Sequence, residues 1–174
     1  MKKLIVMILA MAMAVSMVAC GNKTAEKAPL TGTMEENVMK VLEIAPVEFM
    51  VGPMPVDLTD TSEDGKWALS YFTGLQSADS VTDVCVYEPM MGSQAFSLVM
   101  VRTAEGADPK AVAQEIKDNI DPRKWICVGA DDMMAAGYAD TVMFVMVDTQ
   151  MGLAAQTFVD AFKTVCGADL DFTI

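Results

Sequence analysis

The run Val84-Cys85-Val86-Tyr87-Glu88-Pro89-Met90-Met91-Gly92-Ser93, continued after Gln94 by Ala95-Phe96-Ser97-Leu98-Val99-Met100-Val101-Arg102, decides the fold. Val84–Glu88 and Ala95–Arg102 are rich in β-branched and aromatic residues, and Pro89 to Ser93 is a hairpin-length connection between them. In the second run Phe96, Leu98 and Met100 share one face, while Val99 and Val101 share the other. A strand with one solvated face alternates apolar and polar residues. Val84 to Tyr87 is nearly apolar on both faces instead, so something is expected to cover both faces of the central strands, at least in part.

Working outward, Met133–Ala139 and Thr141–Val147 read as a second hairpin turning at Asp140, and Val142 to Val147 is again apolar on both faces. Upstream, Thr33-Met34-Glu35-Glu36 is a capping box. Met34, Val38, Val41, Leu42 and Ala45 follow at helical spacing until Pro46, so a helix is predicted over 34–45. Val47 to Pro55 is broken by Gly52, Pro53 and Pro55 and reads as extended or irregular chain. Asp57 to Gly65 reads as an acidic loop, and Trp67, Tyr71 and Leu75 as a short helix stopping near Gly74.

Asp108-Pro109 opens a helix with the stripe Val112, Ala113, Ile116 and Ile120. Asp121-Pro122 repeats the signal for one further turn carrying Trp125. Asp148 or Thr149 is expected to cap a last helix that runs to Gly167, with the stripe Met151, Ala154, Ala155, Phe158, Phe162 and Val165. The predicted class is α+β: a four-stranded, mainly antiparallel sheet in the order α-ββα-ββα, with helices packed on it. For the second face, the candidates are the 34–58 segment packing opposite the two long helices, or a homodimer.

Met1 to Cys20 (MKKLIVMILAMAMAVSMVAC) has a basic start at Lys2 and Lys3, an apolar run too short for a span, and a small-residue end. It resembles the lipobox of bacterial lipoproteins, with Met17 where leucine is usual. The resemblance implies a signal peptide over 1–19, a diacylated Cys20 as first mature residue, and a membrane partner held through that lipid. A tether is expected over 20–33 and a single domain over 34–174. From Tyr71 to about residue 170 the chain resembles the bacterial family known as domain of unknown function 4358. That likeness rests on Tyr71-Phe72-Thr73-Gly74-Leu75, on Ser97 to Asp108 (SLVMVRTAEGAD), and on Ala139-Asp140-Thr141-Val142. It implies fold and envelope location and brings no catalytic or ligand residue with it.

From Cys20 onward the chain carries ten basic residues against 24 acidic ones, a mature charge of −14. Phosphate backbones select basic surfaces, so nucleic acid is not an expected partner, nor is docking on anionic lipid by charge. With Cys20 on the lipid, Cys85, Cys127 and Cys166 allow at most one disulfide. No histidine is present, which removes Ser-His-Asp, Cys-His and HExxH chemistry. An enzyme would have to work through carboxylates, and the adjacent pair Asp131 and Asp132 is more simply a solvated loop. Asp60, Ser62 and Asp64, with Gly65, match the first half of a calcium loop, but its twelfth position is Tyr71 instead of a bidentate acid. Turn chemistry explains the same residues.

Twelve of the 17 methionines follow Cys20. Thioethers suit Cu(I), yet most of these lie on predicted core stripes, where methionine fills space. Met90 and Met91, at a hairpin tip with Pro89 and Gly92, are harder to bury and form a candidate contact surface. The expectation is a lipid-anchored extracytoplasmic module without cofactor or catalysis that binds an envelope protein, a peptide or a small ligand. The alternatives are a carboxylate-dependent envelope enzyme and a Met/Cys soft-metal carrier.

Overall fold

The computed structural model describes residues 27–174; the signal stretch, Cys20 and the chain to residue 26 lie outside the described residues. The domain is α+β, built on an antiparallel sheet. Its elements are α1 (Met34–Ile44), β1 (Val51–Pro53), α2 (Glu63–Thr73), β2 (Val81–Pro89), β3 (Phe96–Thr103), α3 (Pro109–Asn119), β4 (Asp132–Tyr138) and β5 (Thr141–Val147). A 3₁₀ turn (Thr149–Met151), α4 (Ala155–Cys166) and β6 (Phe172–Thr173) complete the chain.

Six strands pair among the described residues, in the order β1-β2-β3-β5-β4-β6, and every neighbour is antiparallel. The four expected strands are the central ones, so the four-stranded sheet and its simple element order are corrected by an added strand at each edge. Both additions are too short for a periodic signal. β1 carries Pro53, which an edge strand tolerates because its outer side has no neighbour to receive an amide. β6 is held by two hydrogen bonds between Ala135 and Ile174, each 2.8 Å. The Phe172 ring lies over Gly137, where a Cβ would stand 2.2 Å from it.

Both sheet faces are covered, although not by the expected arrangement. Met34, Val38 and Val41 of α1 and Phe158, Val159 and Phe162 of α4 pack together on Phe96, Leu98, Met100, Met143 and Val145. On the other face Leu69 of α2 and Val112, Ala113 and Ile116 of α3 pack on Val86, Val99, Val101, Val142 and Phe144. The helices α3 and α4, expected on one face, therefore lie on opposite faces, and α1 joins α4 instead of opposing it. Each face buries several large side chains completely, each contributing about 1.5–3 kcal/mol on removal from water. The second face is filled within one chain.

Local signals account for most helix ends. Thr33 Oγ1 accepts from the Glu36 amide at 3.2 Å while Glu36 Oε2 accepts from the Thr33 amide at 3.1 Å, so the capping box is complete. Gly74 ends α2 in the left-handed region at φ 81°, a conformation that costs glycine little. Three expectations fail at boundaries. The acidic loop is shorter than predicted, because Ser62 caps α2 and Glu63, Asp64 and Gly65 form its first turn. Asp148 caps the 3₁₀ turn and not the last helix; Gly152, at φ 74°, interrupts the chain before α4. Asp121 accepts from the Arg123 amide at 2.8 Å in a turn, without the further helical turn predicted there.

Candidate interaction site

The β2–β3 connection stands at one end of the sheet, and its register assembles an apolar tip. Val51 pairs with Pro89, which brings Met50 beside Met90, and the Met90 amide donates to the Met50 carbonyl at 3.0 Å. The Met90 thioether lies over Gly52, whose missing side chain leaves the space: a Cβ there would stand 2.8 Å from Sδ. On the far side of the connection, the Ile126 amide donates to the Gly92 carbonyl at 3.2 Å. Met50, Met90, Met91 and Ile126 are thereby gathered with 76%, 59%, 67% and 77% of their surface exposed. The predicted contact residues Pro89, Met90, Met91 and Gly92 all lie here. The acidic loop that begins at Asp57 shares no hydrogen bond with them among the described residues.

Beneath the tip lies a buried ion pair. Lys124 Nζ stands 2.5 Å from Glu88 Oε1, with no exposed side-chain surface on the lysine and 7% on the glutamate. Ser97 Oγ donates to the same carboxylate oxygen at 2.8 Å from the adjacent strand. Lys124 Nζ also donates to the Tyr71 carbonyl at 3.3 Å, and the Tyr71 hydroxyl donates back to the Lys124 carbonyl at 3.0 Å. The rings of Tyr71, Phe72 and Trp125 surround the ammonium, with centroids at 5.4, 5.7 and 5.5 Å.

Burial pulls the Lys124 pKa below the ordinary lysine range, and Glu88 and Asp121 oppose that shift. Burial likewise raises the Tyr71 pKa, with Glu88 adding to the effect. A buried charge is costly unless paired and hydrogen-bonded. Here the pairing ties the 121–131 loop, and with it Ile126, to the end of β2. Trp67, 59% exposed, stacks on Tyr71 at 4.7 Å and extends an aromatic ledge from this knot.

The remaining singled-out residues serve the scaffold. Asp131 accepts from the Thr149 amide at 2.8 Å and hydroxyl at 2.7 Å, bonds that hold its pKa below the usual carboxylate value. Asp132 accepts from the Ala155 amide at 2.8 Å and so caps α4 from outside the helix. The pair is adjacent in sequence but divided between two termini. Asp60 accepts from the Ser62 amide at 2.9 Å and Ser62 Oγ from the Gly65 amide at 3.2 Å. Asp64 lies within α2. The half-match to a calcium loop is used as turn and cap. Among the described residues, no three Cys, Asp or Glu side chains gather as a metal site would require.

Cys85, Cys127 and Cys166 are free thiols. Burial pushes the first and third up to about 12, with Glu35 and Asp83 adding to the rise at Cys85 and Lys27 opposing it at Cys166. Cys127 is exposed beside Ile126 at the tip, with φ 64°.

Met50, Ile126, Lys124 and Glu88 were not legible as a site in the sequence. They come from three separate segments, which the β1–β2 pairing, the Lys124–Glu88 contact and the Ile126–Gly92 hydrogen bond bring together. Comparison with protein-family models, with curated proteins and with solved structures gave no match to this chain. No helix among the described residues is long and apolar enough to cross a membrane.

Proposed function

We propose that this protein is a lipid-anchored extracytoplasmic module that binds another envelope protein, a peptide or a small ligand and catalyses no reaction. The observation that carries the binding role is the tip. Four large apolar side chains stand in solvent on a frame fixed by strand pairing and by the Lys124–Glu88 knot. Contiguous exposed apolar surface mounted on a rigid support is characteristic of contact sites. Methionine suits the role because its unbranched, polarizable side chain adapts to varied partners. The carboxylates weighed for catalysis support the same reading, since Asp131 and Asp132 are engaged with backbone donors.

Anchoring is supported by the basic start, apolar run and Met17-Val18-Ala19-Cys20 end of the first twenty residues. It is tested by expressing the full chain in a bacterium that processes lipoproteins. The membrane fraction should hold a product whose intact mass shows removal of residues 1–19 and a diacylglyceryl group on Cys20. A Cys20→Ser chain that is still processed and membrane-bound would overturn the assignment.

A further inference from the structure

The two ends of the sheet are chemically opposite, and residues 27–32 lie at the end away from the tip. β3 runs from Phe96, beside the tip, to Arg102, which pairs with Thr141 next to the β4–β5 turn. At about 3.3 Å per residue these ends are ~20 Å apart. Residues 27–32 are strapped to the Arg102 end. The Arg102 guanidinium donates to the Leu30 and Gly32 carbonyls, each at 2.9 Å, and bonds Asp140 at 3.0 Å. Lys27 pairs with Asp171 at 2.7 Å, donates to the Asp169 carbonyl and lies over the Tyr138 ring. Asn37 Nδ2 donates to the Thr31 and Thr33 carbonyls at 3.1 and 3.0 Å.

The second half of the expected tether is therefore part of the folded body. Only residues 21–26 separate Cys20 from Lys27, a contour of at most ~25 Å. An anchor at Cys20 therefore joins the domain at the Arg102 end, opposite the tip.

We propose that the tip formed by Met50, Met90, Met91 and Ile126 is a membrane-distal docking surface for an apolar, basic-flanked segment of another protein. The inference rests on the anchoring reading above. Strap position disfavours the bilayer as occupant, because the leash joins the opposite end and would have to run back along the ~20 Å sheet to bring the tip down. Charge sets the partner's character: a mature chain of −14 repels a second copy and favours an apolar segment bearing lysine or arginine.

The test uses the full lipidated chain in vesicles of phosphatidylethanolamine and phosphatidylglycerol. Cys127 is the accessible thiol for a fluorophore, since Cys85 is buried and the Cys166 thiol is held well above the reactive range. The label should be quenched by aqueous iodide and not by brominated acyl chains. A second label on Ala28→Cys in a Cys127→Ser chain should show strong energy transfer to a headgroup dye. If the chain does not remain on vesicles, or the residue-28 label is remote, the anchoring reading fails. If residue 28 is close and residue 127 is quenched by brominated lipid, the tip assignment fails alone.

Short peptides with a Leu/Met core flanked by lysine, and matched peptides flanked by glutamate, supply the second arm by fluorescence anisotropy on the unlabelled chain. Saturable binding of the lysine set is expected, weakened about tenfold or more in Met91→Ser/Ile126→Ser with its melting temperature unchanged. Absence of binding, indifference to that double substitution, or a dimer that the substitution abolishes would each overturn the proposal.

Discussion

The tip end and the strap end of one sheet use polar groups in opposite ways. At the strap end the charges are partly solvated, with 21% of the Arg102 side chain and 28% of Asp140 exposed, and they pin chain to chain. At the tip end the charges are underground, Lys124 against Glu88, and the surface is apolar. Solvent exposure therefore sets what each pair does. A partly exposed pair supported by carbonyl acceptors adds modest stability. A buried pair is an all-or-none commitment, in which either partner alone is strongly destabilising.

The largest expected break in this comparison is Glu88→Ala. It leaves Lys124 buried without its counter-charge and should cost about 3–5 kcal/mol in urea unfolding. Replacing both partners with apolar residues, Glu88→Leu with Lys124→Met, should recover most of that loss. If the single and double substitutions cost the same, the pair is not a strut of the fold. Arg102→Ala should cost less, about 1.5–3 kcal/mol for the loss of its charge-assisted hydrogen bonds. Its signature should be local: amide exchange should quicken over residues 27–33 before it does in the central strands.

A third effect is seen through pH. The unfolded Cys85 thiol ionises near pH 8.5, whereas the folded thiol is raised to about 12. Between these values the native state holds more protons, so stability is fully present below about pH 8.5 and declines as pH rises. The thiol contributes a slope of up to ~1.4 kcal/mol per pH unit. Cys85→Ala should flatten the alkaline decline measured by urea unfolding across that range. The smallest stability effect belongs to the tip: Met90→Ser, Met91→Ser and Ile126→Ser should each stay within about 0.5 kcal/mol. A larger loss would mean that these side chains support the fold.

Legibility followed sequence distance. The hairpins, the capping box at Thr33 and the stop at Gly74 were readable because each rests on residues a few positions apart. β1 and β6 were not, since strands this short become strands only by pairing with β2 and β4. The helix arrangement failed for a related reason: α3 and α4 each carry a clear apolar stripe, but a stripe does not say which face of a two-sided sheet receives it. At the site, Met90 and Met91 stood out as apolar residues at a turn. Their companions Met50 and Ile126, and the Lys124–Glu88 pair below, carried no local mark.

By itself, the sequence determined the α+β class, the two central hairpins, the need to cover both sheet faces, and the expectation of a lipid anchor at Cys20. Periodicity, caps and targeting signals act over a few residues, so they survive without a three-dimensional context. Tertiary structure alone decided which helices share a face, how residues 27–32 strap to the Arg102 end, and that the apolar tip stands at the other. Those outcomes depend on pairing between distant segments and on the low-dielectric interior that makes one lysine and one glutamate inseparable.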